Sequence, residues 1–187
     1  MAVKYPKPGE LMDRSAVFID GGYLDKVLQN EFERARVDYR KLSDLVSQGT
    51  DRLRTYYYHC MPWQGNPPDP AERARFSSMD SFFYNLKQLP RFEVRLGKIA
   101  RRGADFQQKR VDVLLSVDLV RMSWDHQIQR AIIVSGDSDY VPAVLAAKDA
   151  GVLVQLYYHP NSVHDELRSA CDDRFEITSA LVQACSR

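Results

Sequence analysis

The chain has 187 residues, of which 44% are hydrophobic and 27% charged, and its net charge is +1. This length suits one domain with a sizeable core, and the near-neutral charge excludes a protein that binds polyanions through its overall charge. The three cysteines, at positions 60, 171 and 185, are odd in number and far apart, which argues against a disulfide framework and favours a reducing, cytoplasmic location.

Apolar runs that end in glycine or aspartate mark the predicted strands. Strands buried on both faces are apolar throughout, so residues 17–19 and 132–134 predict interior strands of a parallel sheet. In chain order, the predicted strands cover residues 15–20, 53–60, 92–99, 130–135 and 152–158, with 175–177 as an edge strand. Apolar residues at helical spacing predict helices at residues 23–32, 41–48, 70–89, 107–124, 140–149 and 164–171. This alternation predicts an α/β fold with a mainly parallel sheet of about five to six strands.

The chain shows no internal repeat and no composition shift that marks a linker. Residues 1–187 are therefore expected to form one domain, with residues 1–14 as a loose N-terminal segment. These first residues carry charges and prolines where a signal peptide has an apolar centre. No apolar run approaches the length of a membrane span, about 18 residues, so no membrane partner is expected.

Three aspartates follow the two interior strands: Asp20 after the first, and Asp137 and Asp139 after the fourth. The carboxyl ends of parallel strands share one edge of a sheet, where ligands bind. Each aspartate has a simpler interpretation, since Asp-Gly forms turns and Asp139 or Ser138 is expected to cap a helix. Three carboxylates at one edge exceed what capping requires, and their repulsion is relieved by a shared cation. Oxygen ligands of this kind favour Mg²⁺.

A fourth candidate ligand, Asp112, lies near the start of a predicted helix. The simpler interpretation is that its charge stabilises the helix N-terminus. Asp118 lies six residues further on and points about 120° away, so the two do not share one narrow face. Asp112 is therefore the predicted ligand, and Asp118 is either an outer-shell acid or a salt-bridge partner.

A basic segment precedes this helix. Five cations crowd into the 13 residues 98–110, opposed by Asp105 alone. Such a segment suits phosphate binding beside an acidic pocket, although a solvated loop is the simpler interpretation. The five cations are Lys98, Arg101, Arg102, Lys109 and Arg110.

Three motifs together are similar to a known family. In the order FIDGGYL, QKRVDVLLSVDLV and IIVSGDSDYVP, followed by AAKDAGVLVQLYY, they resemble the NYN domain of the PIN-like nuclease superfamily, in its LabA-like branch. The resemblance covers about residues 17–158. It implies a Rossmann-like three-layer α/β/α sandwich, an acidic pocket that binds Mg²⁺ or Mn²⁺, and cleavage of RNA.

Matching positions assign roles to individual residues. The residues implied to be catalytic and metal-binding are Asp20, Asp112, Asp137 and Asp139. The residues implied to bind substrate are Lys109, Arg110, Arg101, Arg102 and Ser135. Two positions depart from the family pattern: Tyr23 stands where some relatives have asparagine, in a possible outer shell, and Arg110 stands where glycine is common.

The function predicted from these observations is a divalent-metal-dependent ribonuclease acting on single-stranded or structured RNA. The alternative is an RNA-binding or regulatory module that does not cleave. A small-molecule phosphatase is a third hypothesis, weakened because no downstream lysine motif accompanies the Asp-Ser-Asp sequence. The oligomeric state is left open, with a homodimer as one option.

Overall fold

A computed structural model describes residues 12–102 and 105–186, giving the backbone alone for residues 99–102 and 105–109. The strands are β1 (Arg14–Asp20), β2 (Asp51–Cys60), β3 (Phe92–Arg102), β4 (Asp105–Lys109), β5 (Arg130–Val134), β6 (Leu153–Tyr158) and β7 (Asp173–Glu176). The helices are α1 (Gly21–Glu31), α2 (Tyr39–Val46), α3 (Pro70–Lys87), α4 (Val111–Trp124), α5 (Val141–Asp149), α6 (Asp165–Ala170) and α7 (Ser179–Ala184). Within the described residues, the strands form one seven-stranded sheet.

Six strands of this sheet run parallel, in the spatial order β3-β2-β1-β5-β6-β7. The chain steps outward from β1 to β3 and then crosses back to β5 on the other side of β1. This is the strand order of the Rossmann fold, in which ligands bind at the carboxyl ends of the two strands where the direction reverses. Those two strands are β1 and β5, and they end at Asp20 and Val134.

Helices cover both faces of the sheet. Because successive strand residues point to opposite faces, Phe18 packs in one apolar core while Val17 and Ile19 pack in the other. The Phe18 core includes residues of α4, α5 and α6, and the second core includes residues of α1, α2, α3 and α7. The predicted three-layer α/β/α sandwich is therefore confirmed, and the apolar strand sequences follow from burial on both sides.

The predicted helix at residues 107–124 is wrong over its first four residues. Residues 105–109 form β4, which pairs antiparallel with β3 from Lys98↔Lys109 to Arg102↔Asp105. Arg110 then adopts a left-handed φ of 76°, and α4 begins at Val111. Pairing with β3 supplies backbone hydrogen bonds that override the weak local helical pattern. The short helix α7 was not predicted.

Helix α3 begins at Pro70, as predicted, and its start anchors the preceding proline-rich loop. Asp69 Oδ1 accepts a hydrogen bond from Glu72 N at 2.7 Å, and Glu72 Oε2 accepts from Asp69 N at 2.9 Å. The same Glu72 oxygen accepts from Gly65 N at 3.1 Å. This capping box fixes the loop against the helix. Although α3 has 18 residues, no helix in the described part of the chain combines the length and apolar character needed to cross a membrane.

Candidate functional site

The reversal point between β1 and β5 places Asp20 beside Ser135. Asp20 ends β1 and caps α1, and its Oδ1 accepts a hydrogen bond from Tyr23 N at 3.0 Å. Its Oδ2 accepts a second hydrogen bond from Ser135 Oγ at 3.3 Å. Asp20 is only 8% exposed. A helix cap needs no such burial, so this carboxylate is placed for more than capping.

Tyr140 joins Asp20 to Asp112. The Tyr140 hydroxyl oxygen lies 3.2 Å from Asp20 Oδ2 and 3.2 Å from Asp112 Oδ1, and its ring is fully buried. A phenol has one proton, so it donates to one carboxylate at a time. The carboxylate that does not receive this proton keeps its other surroundings: Asp20 still accepts from Tyr23 N and Ser135 Oγ, and Asp112 is half-buried. The arrangement thus holds two acids close together through one shared hydroxyl group.

The electrostatics of the two acids agree with this geometry. Burial raises the pKa of Asp20, and the charge of Asp112 adds to the rise, although three hydrogen-bond donors oppose it. Burial also raises the pKa of Asp112, and the charges of Asp137 and Asp139 add to that rise. All four predicted acids are therefore electrostatic neighbours at this edge of the sheet. A bound cation would stabilise their ionised forms.

Asp137 and Asp139 lie in the turn after β5. Asp137 Oδ1 accepts a hydrogen bond from Asp139 N at 3.1 Å and caps the 3₁₀ turn Ser138–Tyr140. The expectation that Asp139 or Ser138 provides the cap is therefore wrong. A 3₁₀ turn at residues 138–140 precedes α5, and the residue before that turn, Asp137, is the one that caps it. Asp139 is exposed and Asp137 half-buried. This leaves the Asp139 carboxylate facing solvent.

Gly136 allows this turn to pack against the loop that follows β6. A Cβ at position 136 would lie 2.0 Å from the backbone oxygen of Ser162 and 2.5 Å from the ring of Tyr23. The Tyr23 hydroxyl in turn accepts a hydrogen bond from His159 N at 2.9 Å. Tyr23 therefore connects α1 to this loop through the hydrogen bond between its hydroxyl and the backbone of His159.

Asp118 belongs to a separate network on the β2–β3 side of α4. It is 8% exposed and accepts hydrogen bonds from Tyr58 Oη at 3.0 Å and Arg95 Nε at 3.2 Å. Arg121 donates to its other oxygen at 3.3 Å. Of the two interpretations left open by the sequence, these contacts favour the salt-bridge partner. The 120° separation from Asp112 correctly indicated that the two acids face different neighbours.

Asp118→Asn should destabilise the fold by about 1–3 kcal/mol, because it leaves Arg95 and Arg121 without their shared carboxylate. Urea unfolding at pH 7 measures the change. The matched control is Asp165→Asn, whose carboxylate also binds an arginine three residues later but is 84% exposed. Surface pairs of that kind contribute about 0–1 kcal/mol. Equal effects of the two substitutions would contradict the role assigned to Asp118.

Most of the predicted substrate-binding cations are not described at the side-chain level. The side chains of Lys109, Arg101 and Arg102 lie outside the described residues, although their backbones form the β3–β4 pair. Arg110 is described and exposed, immediately before α4 and two residues from Asp112. Ser135 is fully buried and bonded to Asp20, so its hydroxyl orients an acid at the edge.

Asp25 and His59 form an ion pair close to this edge. His59 Nε2 lies 3.3 Å from Asp25 Oδ2, and Cys60 N donates to His59 Nδ1 at 2.7 Å. Burial lowers the pKa of His59, but the hydrogen bonds and the negative charges nearby outweigh it, so that the pKa is raised. This pair was not anticipated from the sequence.

The four acids fit a hard divalent cation by their chemistry, since carboxylate oxygens are the ligands that Mg²⁺ and Mn²⁺ prefer. In the described part of the chain, no three acidic, histidine or cysteine side chains converge closely enough to hold an ion as they stand. Asp20 Oδ2 and Asp112 Oδ1 instead face the hydroxyl group of Tyr140. Ion binding therefore requires side-chain rotation at this edge.

Comparison with known proteins identifies the family. A model of the NYN domain family matches residues 14–179. The chain belongs to this family. NYN domains are part of the PIN-like nuclease superfamily, and the four acids described above are therefore in a nuclease-like domain.

A solved structure shares the fold of this NYN domain. The crystal structure of a protein of unknown function from Vibrio parahaemolyticus RIMD 2210633 aligns with a TM-score of 0.69 and 21% sequence identity. The alignment covers 91% of this chain and 96% of that one. At this identity the likeness establishes the fold alone. The comparison with curated proteins returned no match.

Sequence reasoning missed Tyr140 as a site residue of the NYN domain. Its position was predicted only as the start of a helix. The available signal was a tyrosine directly after Asp-Ser-Asp, followed by Pro142 in the first turn of α5. That position points a bulky side chain back under the preceding turn, which is where the acids meet.

Proposed function

We propose that this NYN domain is a divalent-metal-dependent ribonuclease. The observation that carries the proposal is the Tyr140 hydroxyl shared by Asp20 and Asp112 at the β1–β5 reversal point. Two buried or half-buried acids with raised pKa values beside two further aspartates are typical of a functional site. Membership of a nuclease-like family supplies the class of reaction.

The acids Asp20, Asp112, Asp137 and Asp139 would hold one or two Mg²⁺ or Mn²⁺ ions. Such ions, when bound, activate a water molecule and offset negative charge at the scissile phosphate. Ser135 and Tyr140 contribute by holding Asp20 Oδ2 in place from two sides.

The basic segment before α4 would position the RNA backbone. Arg110 is exposed next to the helix turn that carries Asp112, and we propose that Lys109, Arg101 and Arg102 act beside it. Contacts to phosphate fix the register of a nucleic acid without reading its sequence. We therefore propose weak sequence preference at this segment.

The experiment is incubation of the pure protein with end-labelled single-stranded and hairpin RNA, with Mn²⁺ or with chelator. The proposal expects products that require Mn²⁺ or Mg²⁺ and disappear with chelator. Binding without product would overturn it in favour of the non-cleaving RNA-binding module. Product that persists in chelator would contradict the role of the metal.

We also propose the cytoplasmic location predicted from the cysteines. All three are buried, and none forms a disulfide within the described residues. Such cysteines are usual in a reducing compartment. For the oligomeric state, a homodimer remains one predicted option.

A further inference from the structure

A groove runs along α1, on the face of the sheet that α1 and α3 cover. Two cavities of about 500 Å³ and about 720 Å³ line it. They are adjacent, since both are bordered by Asp25, Tyr39, Ser78 and Phe82. The residues of α1 that line it lie between Asp25 and Gln29, which corresponds to about 6 Å along the helix axis.

One end of the groove lies near the acidic edge. Asp25 is in the second turn of α1, which Asp20 caps, and Pro62 follows the carboxyl end of β2. Parallel strands β1 and β2 are neighbours, with Asp20 opposite Tyr58. A chain that leaves the acidic edge along α1 therefore enters this groove directly.

The charge of the groove favours an anion. Its lining includes Arg34, Arg36 and Arg75, all exposed and none in an ion pair with another described residue. Among the described lining residues Asp25 is the one acid, and its carboxylate lies 3.3 Å from His59 Nε2. Since the whole chain has a net charge of +1, three unpaired arginines along one groove are a local excess.

The floor of the groove is aromatic. Phe82 is partly exposed, and its ring packs edge-on against Tyr39 at 5.6 Å and Tyr57 at 5.7 Å. Met79 adds apolar surface beside it. A ring fixed in this way presents a rigid surface on which a base can stack. Unpaired arginines next to a stacking surface match the chemistry of a single-stranded nucleic acid.

We propose that this groove binds the single-stranded flank of the RNA substrate as it leaves the acidic edge. Its phosphates contact Arg34, Arg36 and Arg75, and one base stacks on Phe82. The backbone of Arg34 is fixed beside α1, because its N–H donates to Leu28 O at 2.9 Å. The inference rests on the proposed function for the identity of the ligand, but binding and cleavage can be measured separately.

The test measures binding of a fluorescent single-stranded RNA in chelator, where no cleavage occurs. The triple variant Arg34→Ala/Arg36→Ala/Arg75→Ala should bind about 10–100-fold more weakly at low salt. The slope of its log affinity against log salt concentration should be shallower by about 2. Each phosphate contact to a single strand contributes about 0.7 to that slope, and three contacts are removed. Phe82→Leu should weaken binding about fivefold or more without changing the salt slope.

The control is the triple variant Arg73→Ala/Arg168→Ala/Arg174→Ala, which removes the same charge from exposed sites outside the groove. It should bind RNA as the wild type does. Thermal unfolding of both triples, expected within about 2 °C of the wild type, separates lost contacts from lost fold.

Equal binding by both triples, or no binding of RNA by the wild type, would overturn the groove assignment. Tighter groove-dependent binding of polyglutamate than of RNA would overturn it in favour of an acidic peptide. If the triple variant in the groove loses RNA binding while the wild type never cleaves RNA, the groove is confirmed as an RNA-binding site and the nuclease proposal is rejected.

Discussion

Asp20→Asn should abolish RNA cleavage while making the fold more stable. Asparagine keeps the shape of the side chain and still accepts a hydrogen bond from Tyr23 N, but it removes the charge that a divalent cation would bind. We expect the rate of cleavage in Mn²⁺ to fall by about 10²–10³-fold or more, as when one electrostatic stabiliser of a transition state is lost. Initial rates with labelled RNA measure the change.

The gain in stability follows from the raised pKa of Asp20. Burial raises this pKa above 3.8, so the folded state binds the proton more tightly than the unfolded chain does. The free energy of unfolding therefore falls as pH rises from the unfolded pKa through the folded one. At pH 7 the folded wild type bears the full free-energy cost of an ionised, buried carboxylate, and the asparagine variant bears none of this cost. We therefore expect Tm at pH 7 to rise on substitution, as measured by thermal unfolding.

The difference in Tm should shrink as the pH is lowered, because the carboxyl of the folded wild type then binds its proton. Asp165→Asn, which alters an exposed acid on α6, should change neither cleavage nor Tm. If Asp20→Asn cleaves RNA at the wild-type rate, then Asp20 is not part of the catalytic site. A lower Tm at pH 7 would show that the ionised Asp20 stabilises the fold and would contradict the pKa argument.

Gly136→Ala should destabilise the fold strongly and disturb the site. The added Cβ would meet the backbone oxygen of Ser162 at 2.0 Å, a contact that no side-chain rotation relieves. Separating the two loops also strains the hydrogen bond from His164 N to Gly136 O, which is 2.9 Å long. We expect a loss of about 3 kcal/mol, at the upper end of the usual cost of overpacking, measured by urea unfolding.

Gly151→Ala is the matched control. Gly151 has a left-handed φ of 82° but nothing within 4 Å of an added Cβ, so alanine there costs only the strained backbone, about 1–2 kcal/mol. Cleavage by Gly151→Ala should stay at the wild-type level, while Gly136→Ala should lose activity even at temperatures where it remains folded. A Gly136→Ala protein no less stable than the control would show that the two loops separate easily.

Much of the fold was predictable because this sheet is buried on both faces. Strands such as β1 and β5 have no polar side to interrupt their apolar sequence, so their positions and parallel arrangement are visible locally. The strand β4 was not visible, because its partner is β3 and residues 105–109 carry no apolar alternation. The order of the strands also depends on how the helices pack, which local spacing does not encode.

Asp20, Asp137 and Asp139 were proposed from their place after strands and Asp112 from its place near a helix start, but the partners of these acids were not predictable. Asp20, Asp112, Asp137 and Asp139 do meet as electrostatic neighbours. The bridge through Tyr140 depends on a 3₁₀ turn that directs its hydroxyl under the edge, and no sequence spacing specifies that direction. Asp118 could be separated from Asp112 by its helical angle, yet its contact with Arg95 needed the β3 strand in place.

The most direct test of a shared cation site is isothermal titration of Mn²⁺ into the intact wild-type protein, Asp20→Asn, Asp112→Asn and Asp118→Asn. The proposal predicts binding by the wild type and by Asp118→Asn, with binding lost in both Asp20→Asn and Asp112→Asn. Binding should also release protons and strengthen as pH rises, since ionised ligands are required. No uptake by the wild type, or equal uptake by all four proteins, would contradict a cation held between Asp20 and Asp112.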